Sequence, residues 1–151
     1  MTKERFKIIP ASYLVLMKEG KVLMLRRFNT GYEDGNYSLV AGHIDGQETF
    51  RQAMVREAKE EAGIVLNMDD LQVVHVMHRQ NTNDEIGNRE RMDVFIKAER
   101  WSGEPKNLEP SKCDDLSWFI LDDLPENTIP CVRQALECIR DDVFYSEFGF
   151  E

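Results

Sequence analysis

The sequence is short of several things, and each shortage closes off a class of protein. Cysteine is scarce: Cys113, Cys131 and Cys138 are the three among 151 residues. An odd count with no close pair supports neither a disulfide framework nor a zinc knuckle, so they read as buried thiols. Long apolar runs are missing, and no stretch approaches a membrane span of about 18 to 20 residues. The opening Met-Thr-Lys-Glu-Arg-Phe-Lys is too polar and short for a secretory signal, so the expected compartment is the cytoplasm. Basic charge is in deficit, with 19 Lys and Arg against 28 Asp and Glu, a net charge of -9. That balance argues against nucleic-acid polymers and anionic membranes as partners. A small anionic substrate stays open to it if a divalent metal carries the substrate in. Internal repeats and low-complexity tracts are also lacking.

What remains is ordinary globular material, 42% hydrophobic and 31% charged, at about the length of one domain. The reading is a single domain over 1–151, a monomer or a homodimer. Ile8 to Met17 and Lys21 to Leu25 are β-rich runs joined by Lys18-Glu19-Gly20, which predicts a hairpin. Asn29 to Asn36 is a polar loop, and Tyr37 to Val40 a short strand delivering the chain to Gly42. Further strands are expected over Leu71 to Met77, Met92 to Ala98 and Leu116 to Leu121. Loops over 80–90 and 101–115 separate them. Near the C-terminus Pro125 and Pro130 bracket the approach to a helix whose Val132, Ala135, Leu136, Ile139 and Val143 recur at 3.6 spacing. Strands outnumber helices, and the two helices are far apart in sequence. The expected class is α/β, a mixed β-sheet covered by helices on both sides.

The first helix of that pair is the informative one. Thr49 followed by Gln52 fits a capping box, and Gly63 can close the helix in the left-handed conformation, so the helix runs from about Phe50 to Ala62. Met54, Ala58 and Ala62 repeat at i, i+4, i+8 and give it a narrow buried side of small residues. Glu57, Glu60 and Glu61 emerge elsewhere, within an arc of roughly 100°. Like charges at this spacing repel by a few tenths of a kcal/mol per pair. A solvated face braced by Arg56 and Glu60 is one account of them. A hard divalent cation held by carboxylate oxygens is the other. Such an ion polarises a phosphoryl oxygen and lowers the pKa of a bound water, which is the chemistry of phosphoanhydride hydrolysis.

The pattern around the helix decides between these accounts. From Gly42, five residues lead to Glu48 and seven more to Arg56-Glu57, followed by Ala58, Lys59, Glu60-Glu61, Ala62, Gly63 and Ile64. This resembles the Nudix box, Gly-x5-Glu-x7-Arg-Glu-U-x-Glu-Glu-x-Gly-U, with Ala58 the soft match at the first aliphatic position. The resemblance implies a Nudix α/β/α sandwich. It also implies a Mg²⁺-dependent hydrolase, with Mn²⁺ a possible substitute, acting on a nucleoside diphosphate linked to another moiety. It assigns Glu57, Glu60 and Glu61 as metal ligands and catalytic residues, adds the Gly42 carbonyl to the ligands, and makes Glu48 and Arg56 a structural brace. One departure precedes the box: many family members read Pro-Gly-Gly where this chain has Val40-Ala41-Gly42.

The substrate must be read outside the box. Trp101 with Glu109 eight residues later is similar to the segment of MutT-type triphosphatases in which a loop glutamate serves the metal or acts as base. Glu109 therefore joins the catalytic candidates, with Asp114 and Glu104 in reserve. Arg26 and Arg27 end a strand near the expected site and can hold phosphate. Asn127 resembles the asparagine that such enzymes set against a purine edge, although a turn or helix-entry role suits it better. His75 and His78 point to opposite faces of a strand and make no metal pair, and His43 is a spacer inside the box. Arg79 stands where many ADP-ribose hydrolases have proline, about fifteen residues after the box. No Ser-Gln-Pro-Trp-Pro run or coenzyme A signature is present. The expected reaction is cleavage of a (deoxy)nucleoside triphosphate to monophosphate and pyrophosphate. ADP-ribose, nucleotide sugars and dinucleoside polyphosphates are the alternatives within the enzyme class. A Nudix-fold nucleotide-binding module without catalysis is the alternative outside it.

Overall fold

In the computed structural model of the chain, which describes residues 3–80 and 90–150, the expected class is met by an α/β/α sandwich with a mixed sheet. Its strands are β1 (Ile9–Lys18), β2 (Lys21–Arg27), β3 (Tyr37–Ser38), β4 (Ala41–His43), β5 (Gln72–Gln80), β6 (Glu90–Ala98), β7 (Cys113–Ile120) and β8 (Tyr145–Phe148). The helices are α1 (Phe50–Ala62) and α2 (Pro130–Arg140). Strand order is β3-β2-β1-β6-β5-β8, with β4 added to β1 and β7 to β2.

The predicted hairpin holds only at its tip, where Met17 faces Val22 and Lys18 faces Lys21. Beyond the tip the strands part. β1 runs parallel to β6 from Ile9 to Leu16, while β2 runs antiparallel to β7. The parting is what opens a cleft between the two halves of the sheet. Tyr37 to Val40 is likewise divided. Tyr37–Ser38 pairs with β2, and the chain then crosses to β1, where Gly42 sits opposite Ser12. The loop predicted over 101–115 ends earlier, because Cys113 to Asp115 already pair with β2. Most of the loop predicted over 80–90 lies outside the described residues.

Each layer of the core has its own helix. Met54, Ala58 and Ala62 are fully buried against Leu14, Leu16, Val94 and Ile96. Their small side chains let α1 lie close to the sheet. On the opposite face Val132, Ala135 and Leu136 of α2 pack on Val15, Met24, Met77 and Phe95. Val143 does not continue that stripe: α2 ends at Arg140, and Val143 is exposed. The sequence after α2 instead turns back as β8, parallel to β5. His75 secures that turn. Its Nδ1 lies 2.8 Å from the Val143 carbonyl and its Nε2 2.8 Å from Ser146 Oγ. Burial holds this imidazole below its ordinary pKa, and His78 on the other face pairs with Glu90 instead.

Candidate active site

The site is assembled by the loop, helix and loop from Gly42 to Ile64. Thr49 and Gln52 form the reciprocal capping box: Thr49 Oγ1 accepts from the Gln52 N–H at 3.1 Å, and Gln52 Oε1 accepts from the Thr49 N–H at 2.8 Å. At the other end Gly63 takes φ +68°, and its N–H reaches the Lys59 carbonyl. Both ends of α1 are thereby fixed, and with them the direction of its glutamates. The following loop docks on the same end. The N–H groups of Lys106 and Leu108 donate to the carbonyls of Ala62 and Glu61 at 2.9 and 3.1 Å, which carries Glu109 to the mouth of the cleft.

Arg56 is the hub of the acidic cluster. Its guanidinium donates to both oxygens of Glu48, at 3.3 and 2.8 Å, to Glu57 Oε1 at 2.6 Å and to the His43 carbonyl at 3.2 Å. Glu60 lies 3.5 Å from it, one turn further on. Hydrogen bonding to Arg56 holds the Glu48 carboxyl below its ordinary range. A second N–H, from Asp45, reinforces the effect and ties the loop to the helix.

The two inner glutamates are shifted the same way, Glu61 further than Glu57. Burial raises Glu57, with Arg56 pulling it back. Glu61 is pushed up to about 8, first by burial and then by the charges of Glu57 and Glu109. Its Oε2 accepts from the Ala41 N–H at 3.3 Å. Gly42 is equally constrained, since a Cβ at this position would overlap Cδ and Oε1 of Glu57. The glycine is needed for close approach and not for an unusual φ.

Glu57, Glu60, Glu61 and Glu109 line one side of a cleft of about 780 Å³, together with Gly42. The residues fit a hard divalent cation by their chemistry. They are oxygen donors with clustered negative charge, and the most buried of them, Glu61, lies beside the charges of Glu57 and Glu109. Among the described residues, no three histidine, cysteine or carboxylate side chains already converge as a ready-made cation site. Glu57 is turned toward Arg56.

The remaining candidates scatter. Arg27 lines the cleft, and its Nε and Nη2 donate to the Tyr32 carbonyl and Thr30 Oγ1 at 2.7 and 3.0 Å. A bulge between Arg26 and Arg27 turns the neighbouring side chain away. Arg26 pairs at 2.7 Å with Asp114, one of the reserve acids, and neither is part of the cleft wall. Asn127 donates through Nδ2 to the Gly35 carbonyl at 2.7 Å, and its own carbonyl accepts from Tyr37, so it fastens a loop beside the cleft. Glu104 is exposed and lies off the cleft. Tyr13, Tyr32, Arg79, Arg91 and Lys112 also line the cleft, and sequence reading singled none of them out as site residues. The available signal was charge inside apolar strands: Arg79, Arg91 and Asp93 interrupt runs that otherwise alternate toward a core.

An α/β/α sandwich with a carboxylate-bearing loop, helix and loop at the edge of a cleft defines a class of phosphoanhydride-processing folds. Residues 8–137 match the profile of the NUDIX domain, and the chain belongs to that family. It is similar to NAD-capped RNA hydrolase NudC of Salmonella heidelberg (strain SL476), 28% identical over 126 residues, covering 82% of this chain and 44% of that protein. It is also similar to the ADP-ribose pyrophosphatase of Methanocaldococcus jannaschii, 32% identical over 73 residues, 47% of this chain and 43% of that one. The chain thus spans less than half the length of these curated relatives. Among solved structures, a MutT NUDIX hydrolase from Burkholderia pseudomallei superposes with TM-score 0.75 at 29% identity, covering 87% of this chain and 98% of that one. A NUDIX hydrolase from Nitrosomonas europaea gives the same TM-score at 19% identity, a likeness of fold alone.

Proposed function

We propose that the chain hydrolyses a phosphoanhydride bond in a nucleoside diphosphate linked to another moiety. The preferred substrate is a (deoxy)nucleoside triphosphate, cleaved to monophosphate and pyrophosphate with Mg²⁺, or Mn²⁺ in its place. The observation that carries this reading is the row of Glu57, Glu60, Glu61 and Glu109 along one wall of a nucleotide-sized cleft. Glu57, Glu60, Glu61 and the Gly42 carbonyl would hold the cation. When bound, a divalent cation there supplies phosphoryl polarisation and a water of lowered pKa. The chain's own residues do the rest. Arg56, anchored by Glu48, fixes Glu57 relative to Gly42. Arg27, also in the cleft lining, offers a guanidinium to the phosphates. Glu109, adjacent in charge to Glu61, is assigned to take the proton of the attacking water. Arg26 and Asn127, committed to Asp114 and Gly35, have no part in this scheme.

A second reading is cleavage of ADP-ribose, a nucleotide sugar or a dinucleoside polyphosphate. It draws support from the M. jannaschii relative, an ADP-ribose pyrophosphatase, and from the S. heidelberg relative, an NAD-capped RNA hydrolase. The test is to incubate the purified chain with Mg²⁺ and a panel of nucleoside triphosphates, ADP-ribose, nucleotide sugars and dinucleoside polyphosphates, and to separate the products by chromatography. Pyrophosphate released from triphosphates is the expected result. Cleavage confined to ADP-ribose or sugar nucleotides, giving two monophosphates, would replace the first reading with the second.

A further inference from the structure

The cleft has a second wall that the glutamates do not reach. Arg79 on β5 sits opposite Arg91 on β6, Met77 opposite Asp93, and Asp93 opposite Ala11 on β1. With period two along each strand, Ala11, Tyr13, Asp93 and Arg79 share one face of the sheet. α2 covers the far end of that face through Phe95 and Met77, while Ala11, Tyr13 and Arg79 line the cleft. Tyr32 adds an aromatic ring to this wall, with the Arg27 guanidinium 5.2 Å from the ring centroid.

Arg79 and Asp93 are 8% and 1% exposed and form an ion pair. Nε donates to Oδ2 at 2.6 Å, and Nη2 lies 3.5 Å from Oδ1. A buried ion pair gives little net stability over well-packed apolar residues, because desolvating both charges costs about as much as their attraction returns. Stability is therefore a poor reason for placing one on the wall of an open cleft. The geometry limits what this pair can recognise. A guanidinium has five N–H donors and no acceptor, and Asp93 fixes its plane. Asp93 also cancels its charge, so a phosphate drawn to Arg79 would be held beside a buried carboxylate. A neutral acceptor meets no such opposition. Tyr13, half-buried on the same face, has its pKa raised by burial, so it stays protonated and adds a hydroxyl donor to the wall.

We infer that the Arg79–Asp93 pair reads the base of the nucleotide and selects a purine carrying a 6-oxo group beside N7, as in guanine or hypoxanthine, over one carrying a 6-amino group. The chemistry is that of an arginine fork on adjacent oxygen and nitrogen acceptors, which an exocyclic amine replaces with a donor facing donors. The inference rests on the proposed nucleotide substrate and specifies its base. Arg79 is here a specificity residue, remote from the reacting bond.

The test uses IMP and AMP, which differ only in the 6-substituent and the proton on the adjacent N1, titrated calorimetrically into the full chain in Mg²⁺ buffer. IMP is expected to bind at least about tenfold more tightly than AMP. The double variant Arg79→Gln/Asp93→Asn, which leaves no lone buried charge, is expected to lose that preference with an unchanged far-UV circular dichroism spectrum. Equal binding of the two nucleotides by the native chain, binding of neither, or a preference retained in the folded double variant would each overturn the inference. If the double variant does not fold, the native IMP-to-AMP ratio decides alone. Turnover of ITP and ATP is followed in parallel. A tenfold binding preference with no turnover of either supports the base assignment and counts against the hydrolase reading only.

Discussion

Glu61 is a carboxyl kept in a place that disfavours its charge, and that has a measurable consequence in metal-free protein. Its pKa of about 8 in the fold lies above the ordinary value near 4.3 of the unfolded chain. The folded state therefore holds a proton that the unfolded state releases first. Stability from this group is present in full below about pH 4, and it is lost as pH rises to about 8. In EDTA, the Tm of the native chain should fall across that window, with a loss of up to a few kcal/mol. Glu61→Gln should flatten the slope. Thermal unfolding followed at half-unit pH steps checks this, and parallel slopes in the two proteins would refute it. Gly42 supports a second prediction at this scale. A methyl group there must push Glu57 aside, so Gly42→Ala should lower kcat by about a hundredfold, as small displacements of reacting groups do, while the protein stays folded by circular dichroism.

Among the elements, α1 was the most legible in sequence. Its first and last residues, capping box, closing glycine and three buried positions all followed from local chemistry, because caps and 3.6 periodicity are encoded within the segment itself. Thr49→Ala should cost about 1 kcal/mol, read as a drop in denaturant midpoint at constant m-value. It should also loosen the glutamates, so kcat should fall alongside. The rest of the site was less readable, for physical reasons. β1 and β2 have the local pattern of a hairpin, and nothing in that pattern says that they separate after two residue pairs to join different partners. The departure depends on β6 and β7, distant in sequence. Arg26 and Arg27 looked equivalent for the same reason, and a single bulge sends one to Asp114 and the other to the cleft. Val143 kept the helical period, yet α2 stops at Arg140 so that the chain can return as β8 beside His75.

At the scale of the molecule, the cleft opens where the sheet divides, and its lining mixes Glu57, Glu60, Glu61 and Glu109 with Arg27 and Lys112. In the proposed scheme this mixture is how a chain of net charge -9 would take an anionic substrate: a cation held by the glutamates would offset their charge, and Arg27 and Lys112 would face the phosphates. Mg²⁺ should accordingly stabilise the fold, by about 2.7 kcal/mol at a hundredfold excess over its Kd. In a domain of this size that is a Tm increase of roughly 5 to 10 °C. A scan with and without Mg²⁺ reads it directly, and a variant lacking both Glu57 and Glu61 carboxylates should show no increase. The central claim, that the glutamates of α1 perform the chemistry, rests most directly on the turnover of Glu61→Gln with Mg²⁺ and the best nucleotide from the substrate panel. The account predicts a kcat lower by several orders of magnitude in a variant that remains fully folded. Near-native turnover in that folded variant would contradict it.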